Sequence, residues 1–145
     1  MNANTQNDLA KLILRVALGA LILLHGIAKL KGGVGPIEGM LQAHGLPGVF
    51  AYAVYIGEVV APVMLLIGFH ARIGGILVAV NMLVAVFLVH MGQLGQLNSQ
   101  GGWELELQGM FFATAVAIAR AQANNALARL REGKIKGRKF RVNRL

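Results

Sequence analysis

The chain has no cysteine and few charged residues for its length. Without cysteine it can form no disulfide, no thiolate metal site and no dithiol redox centre. Charged residues make up 14% of its 145 residues, and hydrophobic residues make up 56%. Soluble domains of this size carry more charge and less apolar surface, so the composition predicts one membrane domain.

The net charge of +8 is concentrated at the C-terminal end. Residues 123–145 hold eight Lys and Arg and one acid, Glu132, whereas the first 122 residues carry a net charge of only +1. A basic segment next to a membrane domain attracts anionic lipid. We therefore predict lipid binding by Lys134, Lys136, Arg138, Lys139 and Arg141. No folded nucleic-acid-binding module accompanies this tail, so nucleic acid is not a predicted partner.

Four apolar stretches predict four membrane-spanning helices, over residues 9–28, 49–69, 73–91 and 105–121. They define a membrane domain over residues 9–121, between a polar N-terminal segment (1–8) and the basic tail (122–145). The predicted fold is all-α, an integral membrane four-helix bundle. In the fourth stretch, Ala113, Ala117 and Ala121 predict a face along which helices pack closely.

The positions of the basic residues predict the orientation of these helices. With four spans, Lys11, Arg15, Arg72, Arg120 and the tail all lie on one side of the membrane. The positive-inside rule places that side, and both termini, in the cytoplasm.

Glu58 lies within the second apolar stretch, where a charge is costly. Insertion scales assign roughly 2.5–3.5 kcal/mol to a charge at the centre of a span. Glu58 must therefore have a partner or take up a proton. Pro62, four residues later, removes one helical hydrogen bond and opens the helix to other groups. Glu58 is either a functional site or one half of a structural pair that holds two helices together.

Other polar residues lie at the outer ends of neighbouring spans. Helical spacing places His25 and Lys29 on one face of the first span and Tyr55 and Glu58 on one face of the second. With His90 at the end of the third span, they form a predicted ligand-binding pocket in the outer half of the bundle: His25, Lys29, Tyr55, Glu58 and His90. Lys29 could instead extend to the lipid headgroups, and His90 could be only an interface residue.

This set of side chains restricts the chemistry. Glu58 and His25 are the candidate catalytic residues, and no metal site is predicted. Two histidines could hold a haem, but neither belongs to a paired-ligand motif on its own helix, so haem is less favoured. Asn81 and His90 are half a turn out of phase and cannot both point inward unless the third span is distorted. The group suits hydrogen bonding to a quinone or another lipid-soluble carbonyl, or a proton relay.

A series of short motifs resembles the DoxX family of small four-helix bacterial membrane proteins. It comprises Arg15-Val-Ala-Leu-Gly19, His25-Gly-Ile-Ala-Lys29-Leu30, Gly45-Leu-Pro47, Glu58, Leu66-Ile-Gly-Phe-His-Ala-Arg72, His90 and Gly101-Gly-Trp-Glu104. The resemblance covers roughly residues 10–120 and ends before the basic tail, where many members instead have a Gly-rich Ser-Leu-Asp segment.

The resemblance implies a multi-pass protein of the bacterial cytoplasmic (inner) membrane, in a membrane redox or oxidative-stress system. The alternative is a non-catalytic accessory, chaperone or scaffold subunit of a membrane complex, with a protein partner or a second copy beside it. A small transporter ranks lower, because four spans leave little room for alternating access. The sequence leaves open whether the chain is catalytic and what it binds.

Overall fold

The computed structural model describes the backbone of residues 2–142, and their side chains except at positions 3, 4, 125, 126 and 128–142. All regular elements in this part of the chain are helical. The α-helices are α1 (Ala3–Gly32), α2 (Gly35–Ala43), α3 (Ala61–Ile67), α4 (Ala71–Ala85) and α5 (Glu106–Val142). Two π-helical segments, Ile56–Val60 and Val86–His90, precede α3 and follow α4, and 3-10 turns cover Gly48–Ala53 and Met91–Gln93.

Three helical stretches are long and apolar enough to cross a membrane: Thr5–Gly32, Gly48–Ile67 and Ala71–Gln93. They confirm the first three predicted spans. The first helix begins at Ala3, so most of the polar N-terminal segment is part of α1.

The fourth predicted span lies at the start of α5, which continues to Val142. Within the described residues this helix does not reach the apolarity of the other three. The reason is the presence of four strongly polar residues in this helix: Glu106 and Gln108 at its start, and Arg120 and Gln122 further on. A fourth span thus stays a prediction.

The long helices pack around one apolar core. Helix α1 contacts α3 and α5, and α4 contacts α3 and α5. Leu18 and Ile22 of α1 meet Leu65 of α3, Val78 of α4 and Phe111 of α5 in this core. Many large apolar side chains lie on the outside instead, which suits contact with lipid; examples are Leu24, Ile67 and Phe87.

Small residues allow α4 to approach its neighbours. A Cβ on Gly75 would lie 2.8 Å from the carbonyl oxygen of Ala115, and one on Gly74 would lie 3.0 Å from that of Ala61. The prediction that Ala113, Ala117 and Ala121 form the packing face was wrong, because Ala113 and Ala117 are exposed and Ala115 is buried. Alanine occupies every second position here, so both faces of α5 carry alanines four residues apart.

A tight turn connects α3 and α4. Gly68 ends α3 in the left-handed conformation (φ 76°), and His70 precedes α4 with φ 48°. A Cβ on Gly68 would lie 2.8 Å from a guanidinium nitrogen of Arg15. Arg15 of α1 therefore lies at the C-terminal end of α3, where a helix favours positive charge.

Helix α2 covers the start of the second long stretch. Val34 and Leu41 are buried there with Ala51, and Ile37, Tyr55 and Leu88 pack against them. Tyr55 packs against this second apolar cluster, which therefore lies beside the segment that carries Glu58.

Candidate functional site

Glu58 lies in the first π-helical segment, about midway along Gly48–Ile67. The backbone N–H of Ala61 donates to the carbonyl of Ile56, five residues earlier, which is the π-helical pattern. Pro62 follows at the start of α3 and has no N–H, so the carbonyl of Glu58 lacks its usual α-helical donor. Segments of this kind occur frequently at functional sites.

The carbonyl of Glu58 lies directly against Gly26 of α1. A Cβ on Gly26 would overlap this carbonyl group, lying 2.7 Å from its carbon atom and 2.8 Å from a methyl group of Val59. Only a glycine allows the two backbones to come this close. Gly26 therefore places the next turn of α1, which carries Lys29, beside Glu58.

Lys29 and Glu58 form an ion pair between two helices. The Lys29 Nζ donates to Oε2 of Glu58 over 2.6 Å. The side chain of Glu58 is only 8% exposed, whereas that of Lys29 is 28% exposed. The carboxylate is thus inside the protein, and the lysine reaches it from the edge of the bundle with the stem of its side chain partly covered.

Two further polar groups complete this cluster. Asn81 of α4 donates from Nδ2 to Oε1 of Glu58 at 3.5 Å, a long hydrogen bond. The Tyr55 hydroxyl donates to the backbone carbonyl of Lys29 over 3.2 Å. Gly57 makes room for the amide, because a Cβ there would overlap the Asn81 side chain. We call Lys29, Tyr55, Glu58 and Asn81 the polar cluster; it connects α1, the first π-helical segment and α4.

The two histidines of the predicted pocket make other contacts. His25 is exposed, its Nδ1 lies 2.9 Å from the carbonyl oxygen of Leu21 and its ring meets Phe111 edge-on at 6.0 Å. His90 ends the second π-helical segment, and its Nδ1 lies 2.7 Å from Oε1 of Gln93. Neither forms a hydrogen bond or ion pair with the polar cluster in the described part of the chain. The structure thus brings together three of the five predicted residues.

Asn81 is not among the residues predicted to form the pocket, and it enters the sequence prediction only through its phase relative to His90. The signal was present, because an amide in an apolar helix needs a hydrogen-bond partner, and so does the carboxylate of Glu58 in the neighbouring span. The predicted lipid-binding side chains, from Lys134 to Arg141, lie outside the described side chains.

The polar cluster offers N–H donors and a carboxylate that accepts hydrogen bonds. Lys29 and Asn81 present N–H donors to the same carboxylate, and the two Glu58 oxygens hold these donors in place. A small carbonyl compound entering beside Lys29 could exchange one of these contacts for its own. Among the described residues, no three His, Asp or Glu side chains are grouped so that they could hold a metal ion.

The sequence model of the DoxX family matches residues 10–91. The chain belongs to the DoxX family. The matched range contains the whole polar cluster together with His25 and His90, whereas α5 lies beyond it.

One curated relative is named "Putative oxidoreductase CatD" and comes from Bacillus subtilis (strain 168). It is 31% identical over 88 residues, which cover 61% of this chain and 65% of the relative. The chain therefore matches less than two thirds of the relative's length. A comparison with solved structures found no match.

Proposed function

We propose that this DoxX-family chain is a component of a membrane redox or oxidative-stress system, in which the polar cluster binds a quinone-like or other lipid-soluble small molecule. The observation that carries the proposal is the 2.6 Å pair of Lys29 and Glu58 at a π-helical segment within an apolar helix. Charged residues at such depth mark ligand or proton pathways more often than not. The name of the Bacillus subtilis relative supports a redox setting.

The chemistry of the proposed ligand follows from the donors present. A quinone carbonyl accepts hydrogen bonds, which Lys29 and Asn81 supply, and Glu58 can accept a proton from a hydroxyl group on the reduced form. Lys29 is the member of the pair at the edge of the bundle, so a molecule from the lipid phase meets it first.

We further propose the membrane arrangement in which the cluster works: four spans in the bacterial inner membrane, with both termini in the cytoplasm. The contacts of α5 with α4 and α1 support a fourth span, since α5 completes the packing around the common core. The basic residues on one side support the orientation. In this arrangement Lys29 and Tyr55 face the outer half of the membrane.

A second candidate function is a non-catalytic accessory or scaffold subunit. The observation in its favour is that the pair is closed: Glu58 already accepts from Lys29 and Asn81, and the cluster joins three helical elements. Fixing how the helices pack is a sufficient role for a pair of this kind.

One experiment separates the two functions. The protein is purified from its membrane in mild detergent, and quinone in its lipid extract is quantified per chain by mass spectrometry, together with an absorbance spectrum. We expect near-stoichiometric quinone in the wild type and its loss in Glu58→Gln, which keeps the shape but removes the charge. Glu104→Gln is the matched control, because it makes the same change at an exposed residue outside the cluster.

The double variant Glu58→Gln with Lys29→Met separates loss of the ligand from loss of stability. If the cluster is a ligand site, the double variant stays empty even when it is stable. If the pair is only structural, the wild type carries no quinone, and the double variant differs from it in neither ligand content nor, to a large extent, stability.

A further inference from the structure

A groove with a volume of about 340 Å³ lies between α4 and α5, away from the polar cluster. Helix α4 contributes one continuous face to it, and α5 contributes a second. The lining residues are Arg72, Ile76, Ala79, Val80 and Leu83 of α4, and Val116, Ala119, Arg120 and Ala123 of α5. Apart from the two arginines, the lining is entirely apolar.

The two arginines lie at the same end of the groove. Gly75 of α4 packs against Ala115 and Ala119 of α5, which fixes the level of one helix relative to the other. Arg72 is three residues before Gly75 and Arg120 directly follows Ala119, so both guanidinium groups belong to one end. Ile76, Val80 and Leu83 then continue the groove from that end.

The groove has the length of one half of a bilayer. From Arg72 to Leu83 the helix advances about 16 Å at 1.5 Å per residue. Half of a hydrocarbon core of about 30 Å is nearly the same length. A molecule with a charged head at the arginines and a chain along the groove would therefore lie entirely in one leaflet.

Both arginines are exposed, and neither has a carboxylate partner among the described side chains. The ion pairs of that part of the chain are Lys11 with Asp8 and Lys29 with Glu58. Two positive charges at the same end of a groove whose lining has no acidic residue suit a phosphodiester, which a guanidinium can bind through two parallel hydrogen bonds. Basic pockets between membrane helices recognise acidic lipid headgroups in this way.

We propose that the groove is a binding site for one anionic glycerophospholipid, with its phosphate between Arg72 and Arg120 and an acyl chain along Ile76, Val80 and Leu83. The groove lining includes no residue of the polar cluster and none of the tail residues predicted to bind lipid, and the proposal does not depend on the redox function. It would attach the α4–α5 pair to the leaflet on the side where both arginines lie.

The test is native mass spectrometry of the full chain, delipidated in detergent and then given phosphatidylglycerol or phosphatidylcholine. We expect one retained phosphatidylglycerol and little phosphatidylcholine. Replacing both arginines, Arg72→Gln with Arg120→Gln, should weaken phosphatidylglycerol binding roughly 30-fold if each charge contributes as basic residues near a membrane surface usually do. Lys31→Gln removes a positive charge at an exposed residue outside the groove and the tail and should leave the adduct in place.

A second variant tests the groove without touching the charges. Val80→Trp places a large side chain at an exposed lining position and should displace the acyl chain, so that the adduct is lost while both arginines remain. Equal retention of the two lipids, or an adduct that persists in either groove variant, would overturn the proposal. A second copy of the chain bound at this face in place of lipid would also overturn it.

Discussion

The backbone of Gly26 in α1 lies directly against the carbonyl group of Glu58. This contact, more than the ion pair, determines how closely α1 approaches the first π-helical segment. Lys29 lies one turn further along α1, so its reach to Glu58 depends on the glycine. The geometry of the charged pair therefore rests on a residue that carries no side chain.

We expect Gly26→Ala to lower stability by about 1–3 kcal/mol, the usual cost of overpacking a close contact. The reason is the overlap of the new methyl group with the Glu58 carbonyl, which must push the helices apart. Unfolding in a denaturing detergent, followed by circular dichroism, measures the change. Gly32→Ala is the control in the same helix, because a Cβ at Gly32 meets nothing within 4 Å. Equal stability of the two variants would show that the contact is unimportant.

We expect Glu58→Gln to destabilise the protein by up to about 3 kcal/mol, because it leaves the Lys29 ammonium without its anion. The value is at the low end for a buried pair, since the Lys29 side chain is 28% exposed. Lys29→Met alone leaves a more deeply buried carboxylate unpaired and should cost at least as much. The double variant should recover most of the loss. Detergent unfolding of all four proteins gives the coupling energy, and additive effects would mean that the two charges do not interact.

Several features of this site follow from the sequence, and others do not. The depth of Glu58 and the position of Lys29 near the end of the first span predict that they lie near each other, because an acid in an apolar helix needs a counter-charge. The separation of His25 from the polar cluster could not be predicted. His25 and Lys29 are both on one side of α1, but the position of α5 places His25 against Phe111 instead.

The third span shows a different limit. The nine-residue spacing of Asn81 and His90 predicts opposite directions in a regular helix. The structure has a π-helical segment at Val86–His90, between these two residues, which changes the helical phase. A π-helical segment depends on tertiary contacts and has no strong local sequence signal, so its position cannot be inferred from spacing alone.

The topology is testable with reporter fusions. We expect a reporter after Leu145 to be cytoplasmic and one inserted at Gly33, between α1 and α2, to be on the opposite side. The physical reason is the concentration of Lys and Arg on the side of the termini. The same location for both reporters would exclude the four-span arrangement.

The basic tail yields a prediction of its own. A peptide of residues 133–145 should bind vesicles that contain anionic lipid, at roughly 1 kcal/mol for each basic residue near the surface. Binding should weaken as salt rises, because the Debye length shortens from about 10 Å at 0.1 M. Co-sedimentation with vesicles at increasing salt measures this. Binding that does not weaken as the salt concentration rises would indicate that the tail binds a protein partner instead.

The first π-helical segment makes the length of this helix as important as its composition. Each residue of an α-helix turns the chain by about 100°, and a π-helical turn accommodates one residue more than an α-helical turn does. Removing a single residue, for example Val60, would let the segment relax into a regular helix. Because the π-helical turn already takes up that extra residue, the two effects cancel, and Glu58 keeps its direction relative to Leu65 in the core. A one-residue deletion within the regular helix α3, for example of Val63, should instead turn Glu58 by about 100° relative to Leu65. Such a deletion should separate Glu58 from Lys29 and Asn81 with no side chain in the polar cluster altered.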